Sequence, residues 1–478
     1  MAIKLGRKMR IKWSDVGLGF LVVYISGIIL MYVLYRTSQQ HVENVSHWRS
    51  KNAKMDLNPV ENTEDSEEQF IDQSDYKAGL NNFEFIKLDH RTYFLTGYLD
   101  TRQDVHYVRV LTILKTTQHI HQPDDRHPIY CYINMANGKV IRMNSTVYEF
   151  SENHSNIFGG FFLSCKIPKW SYNLIAKATE VHMSKSKDFE KDLAVAVPLE
   201  HFHDGPARHE FGVCVPPIFN IWDKITRQKL VEFLEMTTIL GADHFYMYIF
   251  RGEETDRIIN EDLQCVLESY EEAEKLTLYD WNVPVSKEDI HYYGQLLSIQ
   301  HCLYSNMFKS KYLAFNDLDE FIVPKTELTW NKMVSSIAIE DNKPPAGYVF
   351  KSAIFPPSIS RPKGIKPLIT MSSIGRTKIN PFRTKCIVKP ERVYEMGIHH
   401  VAKVQEECMI VNVPEETCLV HHFRNCQQDE HEDCSTIQPD DSMSIHKTKL
   451  EPKYAIAYLK AVKYCNAVYN DDGKDTVE

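Results

Sequence analysis

Apolar and polar positions divide the chain into stretches of different periodicity. Residues 16–35 (VGLGFLVVYISGIILMYVLY) carry no charged side chain. At a helical rise of 1.5 Å per residue this run spans about 30 Å, the hydrocarbon thickness of a bilayer. Trp13 and Tyr35 stand where interfacial aromatics belong, and Lys4, Arg7, Lys8, Arg10 and Lys12 crowd the N-terminal side. The positive-inside rule then predicts a cytoplasmic tail over 1–15, a signal anchor over 16–35 and a luminal remainder. A cleaved signal peptide would show a shorter apolar run, about 7–15 residues, and an A-x-A-like site; RTSQQ follows instead. Residues 36–80 are polar, with the acidic run ENTEDSEEQ at 61–69, and read as a solvated stem.

From 81 to 205 the period is two. HYVRVLTILKTT alternates Tyr107, Arg109 and Leu111 with Val108, Val110 and Thr112, and HPIYCYIN and DLAVAVPL are further short-strand patterns. Asn137-Gly138 supplies a turn signal. With no long helical period, this part predicts a β-rich luminal domain. It offers no catalytic constellation, and HIHQPDDRH reads as a solvated loop.

From 206 to 478 strands and helices alternate. FGVCVPP is a short apolar strand; Leu230, Phe233, Leu234, Thr237 and Leu240 then recur on one helical face, closed by Gly241. HFYMYIF reads as a strand, IINEDLQCVLESYEEAEK as a helix and LTLYDW as a strand. Tyr292, Leu296, Ile299, Leu303 and Met307 share a helical face before the strand KYLAFN. This order predicts a largely parallel sheet with helices on both faces, whose ligands bind beyond the carboxyl ends of the strands.

Composition and charge narrow the options. With 43% hydrophobic and 25% charged residues in 478, the chain is globular and long enough for two or three cores. The net charge is −9, of which the first fifteen residues carry +4 and the rest −13; that balance argues against nucleic acid as a partner. All eleven cysteines follow the anchor, and none forms a CxxC pair, which fits an oxidising lumen and not a zinc finger. Cys426 and Cys434 would close a short loop. The odd count leaves a thiol free or paired between chains, as in a homodimer. Asn44, Asn144 and Asn153 head N-glycosylation sequons.

Chemistry concentrates at Asn316-Asp317-Leu318-Asp319-Glu320, where the strand YLAF ends. Carboxylates at the end of a buried strand are poorly explained by stability. Hard oxygens at this spacing suit Mn²⁺ or Mg²⁺, which also accepts diphosphate oxygens.

The order of FGVCVPP, HFYMYIF, YYGQLLSIQHCLYSN, KSKYLAFNDLDEFIVP, TKCIVKPERVYEMGIHH and LVHHFR over roughly 208–430 resembles glycosyltransferase family 92. The resemblance implies an α/β, GT-A-type nucleotide-sugar-binding fold over 206–478. It also implies a UDP-galactose donor, a divalent metal and inverting transfer giving a β-linkage, often β-1,4, to a glycan. By motif, Asp317 and Asp319 occupy the D-x-D positions, with Asp319 on the metal and Asp317 on the metal or the ribose. Such sites commonly add a distant histidine. His421 and His422 point to opposite faces of a strand, and His422 is the favoured ligand; His399 and His400 pose the same alternation.

An inverting transfer needs a carboxylate base, for which Glu391 and Glu395 are candidates, Glu320 serving instead to support the strand end. Lys385, Lys389 and Arg392 form a basic cluster able to neutralise diphosphate or to stand as a solvated face. Gly294 and Gln295 open the helix before the metal strand and would line the donor pocket. The leading expectation is a Golgi galactosyltransferase acting on glycoproteins. A degenerate glycan-binding glycoprotein is opposed by the intact D-x-D, and a metal-dependent phosphodiester hydrolase would need more clustered His and Asp ligands.

Overall fold

The computed structural model describes residues 81–82, 84–120, 128–135, 138–202, 205–218, 226–250, 261–339, 342–357, 368–373, 375–427 and 433–470. All belong to one unit, Tyr76–Glu478. The expected tail, anchor and stem, the sequon at Asn44 and most of HIHQPDDRH lie outside the described residues. Among the described residues no helix is long and apolar enough to cross a membrane.

Eight strands between Ile86–Asp89 and Val195–His201 form one sheet, antiparallel except where the strands Thr92–Asp100 and Val195–His201 run parallel. The expected strands appear at Tyr107–Lys115, Tyr130–Asn134 and Val195–His201. The longest helix described in this part is one turn, Tyr172–Ile175. Alternation along Tyr107–Lys115 does not separate core from solvent, because both faces are covered: Arg109 is buried against Asp100, with Nε 2.5 Å from Oδ2.

The second sheet is built from β1 (His209–Ile218), β2 (His244–Ile249), β3 (Leu276–Asp280), β4 (Ser310–Phe315), β5 (Glu320–Pro324), β6 (Pro345–Ile354), β7 (Asn380–Val388), β8 (Met409–Val413) and β9 (Cys418–His422). Its order is β3-β2-β1-β4-β7-β6-β9-β5, with β8 beside β6 and the short strand Asn81–Asn82 beyond β3. From β3 to β4 it is parallel; β7 then runs antiparallel to β4 and to β6, β6 pairs parallel with β8 and β9, and β9 runs antiparallel to β5. The expected largely parallel sheet is therefore mixed, and the D-x-D strand sits at the change of direction.

Both faces of this sheet are buried, as period-two side chains require. Phe211, Val213, Phe245 and Met247 join one core with the helix Arg227–Leu240. Cys214, Tyr246 and Tyr248 join another with the helix Gln295–Ser305 and with Tyr98, Leu111 and Phe162 of the first sheet. The helix Arg227–Leu240 starts at Thr226, whose hydroxyl accepts from Lys229 N at 3.3 Å, and stops at Gly241 with φ +134°, the glycine end its spacing predicts. Tyr292, assigned by spacing to the next helix, lies outside it. Tyr292, Tyr293 and Gly294 all have positive φ, and the α-helix begins only at Gln295.

Four disulfides stitch the described residues: Cys131–Cys165, Cys214–Cys302, Cys265–Cys465 and Cys426–Cys434. Cys386, Cys408 and Cys418 are free thiols.

Candidate active site

β4 delivers Asp317 and Asp319 into a tight connection in which Glu320 N donates to Asp317 O at 3.1 Å. β9 returns antiparallel beside β5, with His422 opposite Glu320 and His421 opposite Phe321. Phe423 N donates to Asp319 O at 2.8 Å, tying the end of β9 to the motif. Strand alternation thus sends the two histidines to different places.

His422 enters the acidic group: its Nε2 is 3.3 Å from Asp319 Oδ2 and its Nδ1 3.2 Å from Glu320 Oε1. His421 faces away, stacked on Phe355 with ring centroids 3.8 Å apart and its Nε2 3.4 Å from Ser442 Oγ. Burial holds the His421 imidazole down at about 3. Burial would also lower His422, but Glu320 and Asp319 raise it above its ordinary value.

Lys385 of β7 lies beneath this group, its Nζ 2.7 Å from both Asp317 Oδ2 and Glu320 Oε2. Burial alone would raise the Glu320 carboxyl and lower the Lys385 amine. Their mutual attraction, with Asp317 and His422, reverses both directions. Lys385 is therefore an internal counter-charge and is not exposed to a donor. Glu320 supports the strand end, as expected.

Asp319 and His422 present a hard oxygen and an imidazole nitrogen to one cleft, with side chains 47% and 16% exposed. Among the described residues no cluster of three or more His, Cys, Asp or Glu side chains stands ready to hold a metal. The set fits an open divalent site, in which a carboxylate and an imidazole leave positions for diphosphate oxygens. Asp317 is partly spent on Lys385.

The cleft measures about 930 Å³. Gln295 lines it; Gly294 lies behind, buried, and sets the helix start. Lys229, Arg383 and Arg424 line it as cations, and His399 faces it. His400 turns instead toward Glu152, Nδ1 to Oε1 3.6 Å.

The expected basic cluster does not converge. Val388 of β7 pairs with Leu313 and Cys386 with Phe315, so Lys385 sits at the aspartate end and Lys389 and Arg392 beyond the other. Lys389 Nζ covers the Tyr312 ring at 5.4 Å, and Arg392 donates to Pro345 O at 2.9 Å.

Neither expected base reaches the cleft. Glu391 flanks Arg392 at that same far end, at 3.6 Å. Glu395 is fully buried, accepting from Tyr148 Oη at 2.6 Å and from Ser151 N and Oγ at 2.7 and 2.9 Å. It docks the hairpin strand Val393–Met396 against the first sheet and has no oxygen left for an acceptor.

The β-rich part, expected to carry no chemistry, sends Glu152 and His154 into the cleft. Nothing local in SENHS signals this, because Glu152 contacts Ile398 and His400, and His154 stacks on His291, all distant in sequence. Arg424, by contrast, was visible as the last residue of LVHHFR. Of the sequons, Asn144 is exposed on its strand. The Asn153 amide is engaged, Oδ1 accepting from Gly160 N at 3.0 Å and Nδ2 donating to Glu149 at 3.3 Å.

Residues 209–456, just over half of the chain, match the model of glycosyltransferase family 92. The chain belongs to glycosyltransferase family 92. A beta-1,4-galactosyltransferase, galt-1, of Caenorhabditis elegans is 28% identical over 367 residues, which cover 73% of this chain and 79% of the relative. Among solved structures, a ferredoxin-NADP+ reductase from Plasmodium falciparum aligns with 48% of this chain and 88% of its own at 10% identity. Its TM-score of 0.15 is too low to bear on the fold. Family 92 membership makes the chain a glycosyltransferase, a class of enzyme that binds a nucleotide-sugar donor and a glycan acceptor.

Proposed function

We propose that this family 92 member transfers galactose from UDP-galactose to a glycan on glycoproteins, with inversion and a β-linkage, β-1,4 as in the relative's name. The observation that carries this reading is the meeting of Asp319 and His422 in a cleft also lined by Lys229, Arg383 and Arg424. Asp319 and His422, with Asp317 beside them, would hold Mn²⁺ or Mg²⁺. The cation, when bound, supplies positive charge for the leaving diphosphate. Lys229, Arg383 and Arg424 attract the same diphosphate, and Lys385 keeps Asp317 and Glu320 from repelling it. Gln295, at the helix start, offers an amide to the donor. Residues 16–35 anchor the enzyme in the Golgi membrane as a single-pass type II protein, catalytic part luminal.

The test is full-length enzyme in detergent, offered a panel of UDP-sugars with Mn²⁺ over a glycan array. Galactosylated product from UDP-galactose is expected, with little donor turnover when acceptor is withheld. Fast donor cleavage without acceptor would indicate a hydrolase, and no transfer from any UDP-sugar would overturn the reading.

A further inference from the structure

Displacement with inversion requires a carboxylate that is inside the cleft, free of the cation site and fixed in place. Four carboxylates line the described cleft: Asp317, Asp319, Glu320 and Glu152. The first three form one ion-paired group with Lys385 and His422. Glu152 stands apart, on the loop between the strands Val140–Glu149 and Phe158–Lys166.

That loop is held on both sides of Glu152. Ser151 binds Glu395 through N and Oγ, and Asn153 Oδ1 accepts from Gly160 N. The carboxylate itself is oriented: Oε2 accepts from Ile398 N at 2.5 Å, which leaves Oε1 with His400 Nδ1 at 3.6 Å. Gly397 makes this approach possible, since a Cβ there would lie 2.6 Å from Glu152 Oε2. Its backbone needs no left-handed φ, so it is close packing, by the carboxylate and by the His400 carbonyl oxygen at 2.9 Å, that requires a glycine. Glu395 already supplies a fully bonded latch a few residues earlier; Glu152 keeps one oxygen for the cleft, its side chain 21% exposed.

We propose that Glu152, contributed by the β-rich part of the chain, is the general base of the transfer. The inference rests on the transferase reading above. The acceptor hydroxyl oxygen attacks the anomeric carbon of the nucleoside diphosphate sugar as its proton passes to Glu152 Oε1. The bond from the anomeric carbon to the diphosphate oxygen breaks, and the nucleoside diphosphate departs with that electron pair. Glu152 then returns its proton to water. The two sheets are in this view one catalytic unit, the first delivering the base and the second the diphosphate and cation site.

Glu152→Gln and Glu152→Asp in the full-length enzyme separate a base from a latch. Gln keeps the length and the acceptor oxygen for Ile398 N–H but cannot take a proton; Asp keeps the basicity but loses reach. A base predicts that Glu152→Gln loses roughly 100-fold or more in kcat, that Glu152→Asp turns over faster than Glu152→Gln, and that calorimetric binding of UDP with Mn²⁺ is unchanged in both. Wild-type kcat in Glu152→Gln, or Gln outperforming Asp per folded molecule, would overturn the inference. Wild-type enzyme inactive with every UDP-sugar would instead defeat the transferase reading on which it rests.

Discussion

The two adjacent histidines show how one residue step decides between chemistry and packing. His422 shares a ladder position with Glu320 and reaches Asp319, whereas His421 is fully buried against Phe355. Under the proposed function, Asp319→Ala abolishes metal-dependent turnover, and His422→Ala raises the Mn²⁺ concentration for half-maximal rate. His421→Ala leaves that concentration alone and lowers stability by about 2–4 kcal/mol, the cost of a large-to-small core change. A Mn²⁺ titration beside a thermal melt of each variant checks all three, and a larger Mn²⁺ effect from His421→Ala would contradict the register. Glu395 is a parallel case. Its replacement by Ala strands Tyr148 Oη and Ser151 N, and should cost about 3 kcal/mol by denaturant titration; unchanged stability would refute its docking role. Alternation made the histidine difference legible in the sequence. The placement of Glu395 was not legible, because its partners lie more than 240 residues away.

At the scale of elements, the strands FGVCVPP, HFYMYIF, LTLYDW, KYLAFN and CLVHHFR and the Gly241 helix end are readable from local signals, whereas β7, which brings Lys385 to Asp317, is not read as a strand. Gly294 and Gln295 read as opening the next helix, and it does begin at Gln295; Tyr292 nevertheless counts on its face because Tyr292 and Leu296 keep helical spacing across the break. Local spacing carries no information on the sign of φ, and three left-handed residues in succession are costly for L-amino acids. Gly294 is where the turn depends on glycine: its φ is +75°, and a Cβ would meet Val283 Cγ1 at 2.9 Å. Gly294→Ala should therefore destabilise the fold by about 1–2 kcal/mol and move Gln295, raising KM for the donor more than it lowers kcat. A melt and a donor titration read the two effects; wild-type values for both would show that the turn is not needed. The change from parallel to antiparallel at β4 was equally hidden, because pairing direction is set by the long connections and not by the strands themselves.

Across the whole molecule, the first sheet grips residues 391–400 along their length. Arg102 donates to Val393 O at 2.7 Å and to Tyr304 Oη at 3.1 Å, Arg109 reaches Tyr394 Oη at 3.3 Å, and Glu152 ends the series at Ile398. A second link runs through buried groups: Tyr248 Oη lies 2.6 Å from His301 Nδ1, His301 Nε2 3.2 Å from Ser305 Oγ, and Ser305 Oγ 2.9 Å from Tyr98 Oη. Burial, with Lys309 nearby, lowers the His301 imidazole to about 3; burial and His209 lower His244 to about 4. In the unfolded chain both would titrate near 6.5. Between that value and the folded ones the unfolded state binds protons that the folded state refuses, so stability falls as pH falls. The loss begins near pH 6.5, flattens below about 4 for His244, and for each group costs roughly 1.4 kcal/mol per pH unit within its window. Burial alone would raise the Asp100 carboxyl, but Arg102 and Arg109 hold it well below its ordinary value, and its contribution disappears in turn below about pH 4. Urea midpoints taken from pH 7 to pH 4 should decline. His301→Gln, which does not titrate, should show a shallower decline from its own lower plateau. A flat profile from pH 7 to pH 5, or an unchanged slope in His301→Gln, would mean that the buried histidines between the sheets do not couple protons to folding.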